Sequence, residues 1–229
     1  MKNIMLKGLI IIVALVLIIL GLVMWTTNTN RRMNINDFSI SRLTDRKYAL
    51  SSNLDSISVT TRTSKVKIVS GDALKLSLKN VSDDQYKVIN DNHKLTIVQK
   101  NSSTHNLEIG KSSEITITVP DNLKRIKINQ LNGTLNLKDL EVENLAIDHQ
   151  NGSTIADNLK IDDRGTITKK NGKTSLDGVN VNGLSVSIKN GGFTLNGVKK
   201  ISSNKTYNDH KNHQLKINSG SGQVVVKTK

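Results

Sequence analysis

The sequence predicts an all-β fold, a β-solenoid or β-helix-like stack of ~20-residue repeats, preceded by a single N-terminal transmembrane helix. Three observations predict it. Asn-Gly recurs at Asn132-Gly133, Asn151-Gly152, Asn171-Gly172 and Asn190-Gly191, at intervals of 19, 20 and 19 residues. Apolar residues keep the same offsets from each of those glycines. One unbroken apolar run stands ahead of all of them.

That run, Leu9 to Trp25, contains only apolar residues and Gly21, and Lys2 and Lys7 precede it. Its 17 residues rise about 26 Å as a helix, close to the ~30 Å hydrocarbon core of a bilayer. Trp25 suits the headgroup level. A cleaved signal peptide would have a shorter apolar core and a small-x-small site, which "GLVMWTTNTN" lacks. Residues 1–25 therefore read as an uncleaved anchor with a short cytoplasmic tail. Lys2 and Lys7 on one side nearly balance Arg31, Arg32 and Arg42 on the other, so the positive-inside rule barely decides orientation. The brevity of the tail favours the N-terminus inside and the β domain outside.

Residues 26–47 are polar and aperiodic and read as a linker. From Tyr48 the pattern changes to period two, which marks short strands. Ile57/Val59, Val66/Ile68, Leu74/Leu76/Leu78, Tyr86/Val88, Leu95/Ile97 and Ile115/Ile117/Val119 alternate with polar residues, and Pro120 ends the last run. The β-strand-repeat domain is thus 48–229, with regular repeats from about residue 124.

Within the repeats, Ile126 and Ile128 stand seven and five residues before Gly133. Leu145 and Ile147 precede Gly152 in the same way, Gly165 and Ile167 precede Gly172, and Leu184 and Val186 precede Gly191. Leu137, Ala156, Leu176 and Leu195 follow at four, and Leu140, Leu159, Val179 and Val198 at seven. A fifth copy fits on Gly222, with Ser221 in place of asparagine. Separate hairpins need no common register; units that bury their apolar faces only against one another do. Each set of equal offsets is expected to form one interior column. The ladder Asn132, Asn151, Asn171 and Asn190 either offers amides to a sugar or supports the turns by amide stacking. The second reading is preferred, with Gly133, Gly152, Gly172, Gly191 and Gly222 supplying positive φ or close backbone approach.

Gly191 and Gly222 lie 31 residues apart, leaving an insertion at "SSNKTYNDHKNH", residues 202–213. Insertions in repeat arrays form surface loops, often for binding. Lys205, Tyr207, Asp209, His210 and His213 are its candidate recognition residues.

The formal charge is +14, and +12 remains without Lys2 and Lys7. Such a domain is drawn to anionic lipid or wall polymer; Lys169, Lys170, Lys173 and Lys189 are the candidate basic surface, with plain solubility the competing explanation. There is no cysteine, so no disulfide or thiolate metal site. Asp209, His210 and His213 are too few for a fixed metal site. Asp157, Asp162 and Asp163 lack the calcium-loop pattern, and no metal or cofactor is expected. Asp148, Asp157 and Asp177 are the candidates for the carboxylate pair a glycosidase needs, but only Asp157 and Asp177 share an offset, and an exposed turn ladder explains them with less assumption. There is no Gly-x-Ser-x-Gly and no phosphate loop. Scattered aromatics, 3% of residues, argue against nucleic-acid reading modules.

The stretch "EITITVPDNLKRIKINQLNGTLNLKDLEVENLAIDHQNG" resembles a bacterial family, the putative-adhesin β-strand-repeat domain of unknown function, over roughly residues 50–229. The matching features are Val119-Pro120, then Leu123, Ile126 and Ile128, a glycine turn, Leu135 and Leu137, and a repeat about 20 residues later. Asparagine at the turns, where the family often has serine, and the 202–213 insertion depart from its pattern. The resemblance implies an extracytoplasmic, non-catalytic domain of the Gram-positive envelope, as in Lia-type envelope-stress proteins. The expectation is a single-pass cell-membrane protein whose β domain binds or senses envelope components, with an envelope signalling protein a further partner. The alternatives are a surface adhesin for a host glycan or protein, and a carbohydrate-active β-helix enzyme.

Overall fold

Leu9–Trp25 lies within helix α1 (Lys2–Asn28). A computed structural model of the chain describes residues 2–50, 53–91, 93–102, 107–120, 123–211 and 214–229. The large apolar side chains of α1 face outward, from Met5 to Trp25. Only its end meets the rest of the chain: Thr26 is buried, its hydroxyl donating to Leu22 O at 2.9 Å.

Residues 26–47, expected as a linker, instead complete α1 and form β1 (Arg31–Asn34), β2 (Ile40–Arg42) and most of β3 (Thr44–Tyr48). β1 pairs with β2 and with β8 (Glu108–Gly110) in a three-stranded sheet. These strands lack apolar alternation because backbone pairing and one buried cation hold them. Arg32 is buried and donates to Asn80 O (2.8 Å), Lys111 O (2.5 Å) and Gln85 Oε1 (3.2 Å). Glu108 lies 3.9 Å from it and accepts from Arg62 at 2.5 Å.

The main body is a stack of parallel coils. β4 (Ser56–Ser70) pairs in parallel with the first coil of β10 (Leu123–Val179), setting Val59 beside Ile128, Ser64 beside Gly133 and Ile68 beside Leu137. β10 continues through two more coils, with Gly152 over Gly133 and Gly172 over Gly152. The next coil is not the next in sequence. β14 (Leu215–Thr228) pairs with the third coil, Asn171 beside Ser221, and β11 (Leu184–Leu195) pairs with β14, Gly191 beside Gly222. The spatial order is therefore Ser64, Gly133, Gly152, Gly172, Gly222, Gly191.

Every expected interior position before the glycines is buried, and Ile68, Leu137, Ala156, Leu176 and Val226 form the column after them. Leu195, half-buried, packs at its end. The second column contains Leu140, Leu159 and Val179, all buried, but not Val198, which is 57% exposed. The chain reverses at Asn196-Gly197 into β12 (Val198–Ser202), antiparallel to β11. β13 (Lys205–Asn208) pairs with β11 too, so the 202–213 insertion carries strand that caps this edge rather than a free surface loop. At the opposite end, β4 pairs with β7 (Lys94–Gln99) and β9 (Ser113–Val119), covered in turn by β6 (Tyr86–Asp91) and β5 (Lys75–Val81), with β3 on the rim.

The glycine corner fixes the stacking. Gly133, Gly152 and Gly172 have φ of 118°, 117° and 107°. A Cβ on Gly152 would lie 1.9 Å from Gly133 O, and one on Gly172 would lie 2.0 Å from Gly152 O. Both the left-handed backbone and the contact exclude a side chain. Alongside, Asn151 Nδ2 donates to Asn132 Oδ1 at 3.0 Å and Asn171 Nδ2 to Asn151 Oδ1 at 2.8 Å. Gly152→Ala is expected to cost more than about 3 kcal/mol, against about 1 kcal/mol for Gly197→Ala, where φ is 79° but the space is open. Urea unfolding of the full chain in detergent measures the difference; equal costs would refute the steric account.

Candidate functional site

Of the four basic residues singled out in the sequence, three are exposed near the glycine corner and one is not. Lys170 and Lys173 flank Gly172 on the outer side of the corner, and Lys189 lies outside Gly191; all three are exposed. Lys169 is the exception, buried to 2%. Strand alternation explains it: Ile167 points inward, so Lys169 does too.

Lys169 belongs to an interior polar file, three residues before each glycine of the stack. The file runs Thr61, Gln130, His149, Lys169 and Ser219, all buried, and ends at Ile188. Gln130 Nε2 donates to Ser64 O at 2.7 Å and to Asn132 O at 2.9 Å. His149 Nδ1 lies 2.8 Å from Thr154 Oγ1 and 3.2 Å from Lys169 Nζ, which is 3.4 Å from the same hydroxyl. Gln130 Oε1, His149 Nε2, Thr174 Oγ1 and Ser219 Oγ find no protein partner among the described residues. At the β6–β7 end the file continues as a satisfied network, with Thr61 donating to Gln99 Oε1 (2.8 Å) and Tyr86 Oη 2.7 Å from Ser113 Oγ.

Burial lowers Lys169 to a pKa of about 8, and burial followed by the Lys169 charge lowers His149 to about 4. Both groups bind protons more weakly folded than unfolded. Each therefore makes stability rise with pH, His149 between about 4 and 6.5 and Lys169 between about 8 and 10.5.

The capping residues are mostly engaged. Tyr207 is half-buried, its ring 5.3 Å from that of Phe193. Asp209 Oδ2 accepts from Leu184 N at 2.8 Å, and its Oδ1 accepts from Lys211 N at 3.1 Å. His210 is exposed in a turn at φ 60°; His213 lies outside the described residues. Lys205 is exposed, and it is brought to the same groove as Lys189. That meeting of two separately predicted sets was hidden in the sequence, because it depends on β13 folding back on β11.

The acidic candidates stay apart. Asp148 lies four residues before Gly152, while Asp157 and Asp177 lie five after their own glycines, on another part of the coil. Asp177 pairs with Lys227 at 2.7 Å. No group of three metal-ligating side chains forms among the described residues. A second turn ladder escaped the sequence reading: Asp139, Asn158 and Gly178, six residues after successive glycines, all have positive φ, and Asn158 Nδ2 donates to Asp139 Oδ1 at 2.9 Å. Positive-φ residue types at a constant offset were the available signal.

Replacing His149 by Leu is expected to leave a chain that loses less stability than the native one between pH 6.5 and 4. Replacing Lys169 by Met should flatten the rise between pH 8 and 10.5. Urea midpoints across pH check both; parallel native and variant curves would contradict the buried-base assignment.

The Toastrack DUF4097 family model matches residues 54–229. The crystal structure of a putative cell adhesion protein from Clostridium sporogenes is similar in fold, with a TM-score of 0.64 at 14% identity over 82% of this chain and 100% of that one. Putative adhesins from Bacteroides fragilis and Parabacteroides distasonis give TM-scores of 0.31 and 0.30, each at 12% identity. They cover 82% and 81% of this chain, and 97% and 98% of their own. No curated protein sequence matches. With its in-register coils, its capped edges and a family match spanning all but the N-terminal helix and the first strands, the chain belongs to the Toastrack DUF4097 family.

Proposed function

We propose that the chain is a single-pass membrane protein whose solenoid-like β domain stands outside the cytoplasm and binds or senses anionic components of the cell envelope without catalysing a reaction. One observation carries this reading. Met5–Asn28 is a helix of mean hydropathy 3.1 with none of its apolar window buried, and it joins β1 directly. An isolated apolar cylinder of that length is costly in water and matched to a bilayer. Trp25 sits at its outer end with the Arg31 guanidinium 5.6 Å from the ring, a pairing suited to the headgroup region. The short connection through Asn30, whose carbonyl accepts from Leu43 N at 2.7 Å, keeps the β domain close to the bilayer. The net charge of +12 that remains without Lys2 and Lys7 supplies a long-range attraction to polyanions.

Adhesion to a host glycan through residues 202–213 has less support, because Tyr207 packs on Phe193 instead of offering a free ring. A carbohydrate-cleaving role has less again, since Asp148 and Asp177 are not gathered into one groove.

The chain is expected in the membrane fraction, released by detergent and not by high salt, and its β domain should be cut by protease added to intact cells. A soluble chain, or one protected from outside protease, would contradict the location. In neutral-lipid nanodiscs, binding to poly(glycerol phosphate) should fall steeply as salt rises from about 0.05 M to about 0.5 M; no binding at low salt would reject the anionic ligand class.

A further inference from the structure

We infer that the groove between β11, β13 and β14 is a binding site for the phosphodiester groups of a polyol-phosphate polymer. The inference rests on the envelope-binding reading and gives it a location. The groove has a volume of about 500 Å³. It forms where β13 folds back antiparallel on β11 while β14 pairs with β11 on the other side, setting Thr206 beside Ser187 and Ser187 beside Asn218. These side chains make a polar row, and the Thr206 hydroxyl donates to Ser187 Oγ at 3.2 Å. The Ser187 proton is then free to point at a ligand oxygen.

Lys189 of β11 and Lys205 of β13, both exposed, line the groove. No carboxylate lines it. Among the described residues neither lysine has an acidic partner, whereas Lys65, Lys124, Lys160 and Lys227 do. Gly220 stands between Lys170 and Lys189 in the stack, where a Cβ would lie 2.6 Å from Lys170 O, so the coils approach closely beside the groove. Buried Lys169 adds positive charge behind the wall. Hydroxyl and amide donors between two unpaired ammoniums match a phosphodiester, with one negative charge and several acceptor oxygens. The open shape admits a chain rather than enclosing a small molecule.

The groove lies away from the membrane helix along the stack. α1 packs against β1 and β8, at the end of the stack that β4 and β9 share. The groove lies at the other end, five coil steps from Ser64, or roughly 24 Å along the stack.

The test uses the full chain in neutral-lipid nanodiscs, with poly(glycerol phosphate) as probe and phosphatidylglycerol vesicles and hyaluronate as comparators. The double variant Lys189→Ala/Lys205→Ala should weaken polymer binding by about tenfold with an unchanged unfolding midpoint. The control Lys67→Ala/Lys127→Ala, which removes the same charge elsewhere on the stack, should change it less than about twofold. Equal losses in the two variants, or no loss in either, would overturn the groove while leaving diffuse envelope binding intact. No binding by the native chain would overturn the envelope-binding reading itself. Preference for the vesicles or for hyaluronate over the polymer would overturn the phosphodiester-polymer assignment.

Discussion

The stack depends on one close approach: the carbonyl of each corner residue lies where the next coil's glycine would carry a Cβ. From Ser64 through Gly133, Gly152, Gly172 and Gly222 to Gly191, the separation is 1.8–2.0 Å at every step. No side chain of any size fits, so the corner sets both the identity of the residue and the distance between coils. Once that spacing is set, the asparagine amides fall within bonding reach and the aliphatic side chains before and after the corner superpose. The apolar interior follows from the backbone contact as much as it drives it.

The same repetition brings the polar file together. A position three residues before each glycine points inward in every coil, whatever its chemistry. At the ends of the stack the file is well accommodated, by Tyr86, Gln99 and Ser113 on one side and by Ile188 on the other. In the middle it holds His149 and Lys169 against one hydroxyl, with no carboxylate to compensate. These two buried bases oppose folding at pH values where the unfolded chain holds their protons, and they are tolerated because the surrounding coils are held elsewhere.

Much of the repeat was legible because the same offsets recur from glycine to glycine. Ile126/Ile128 and Leu145/Ile147 are buried where the register puts them. Lys169 was legible too, since alternation from Ile167 turns it inward; a preference for exposed charge outweighed the period-two signal. The order of coils was not legible. Leu184 and Leu215 occupy the same offset, so sequence cannot tell which of β11 and β14 lies against the third coil. Nor were β1 and β2, held by Arg32 reaching Asn80 and Lys111, or β3, held by pairing with β5, all contacts between residues far apart in the chain. The groove at Lys189 and Lys205 was hidden for a related reason. It exists only because residues 205–208 return to an edge formed twenty residues earlier.

The insertion of β14 between β10 and β11 has a kinetic consequence. β11 leaves the ribosome before β14 does, and it meets an open edge on the third coil whose pattern suits it as well as it suits β14. Premature docking there would give a plausible but wrong assembly that must come apart before residues 215–228 can slot in. Strands β12 and β13 follow one another along the opposite edge of β11, so they cover that edge while the one that must meet residues 215–228 stays open until those residues arrive.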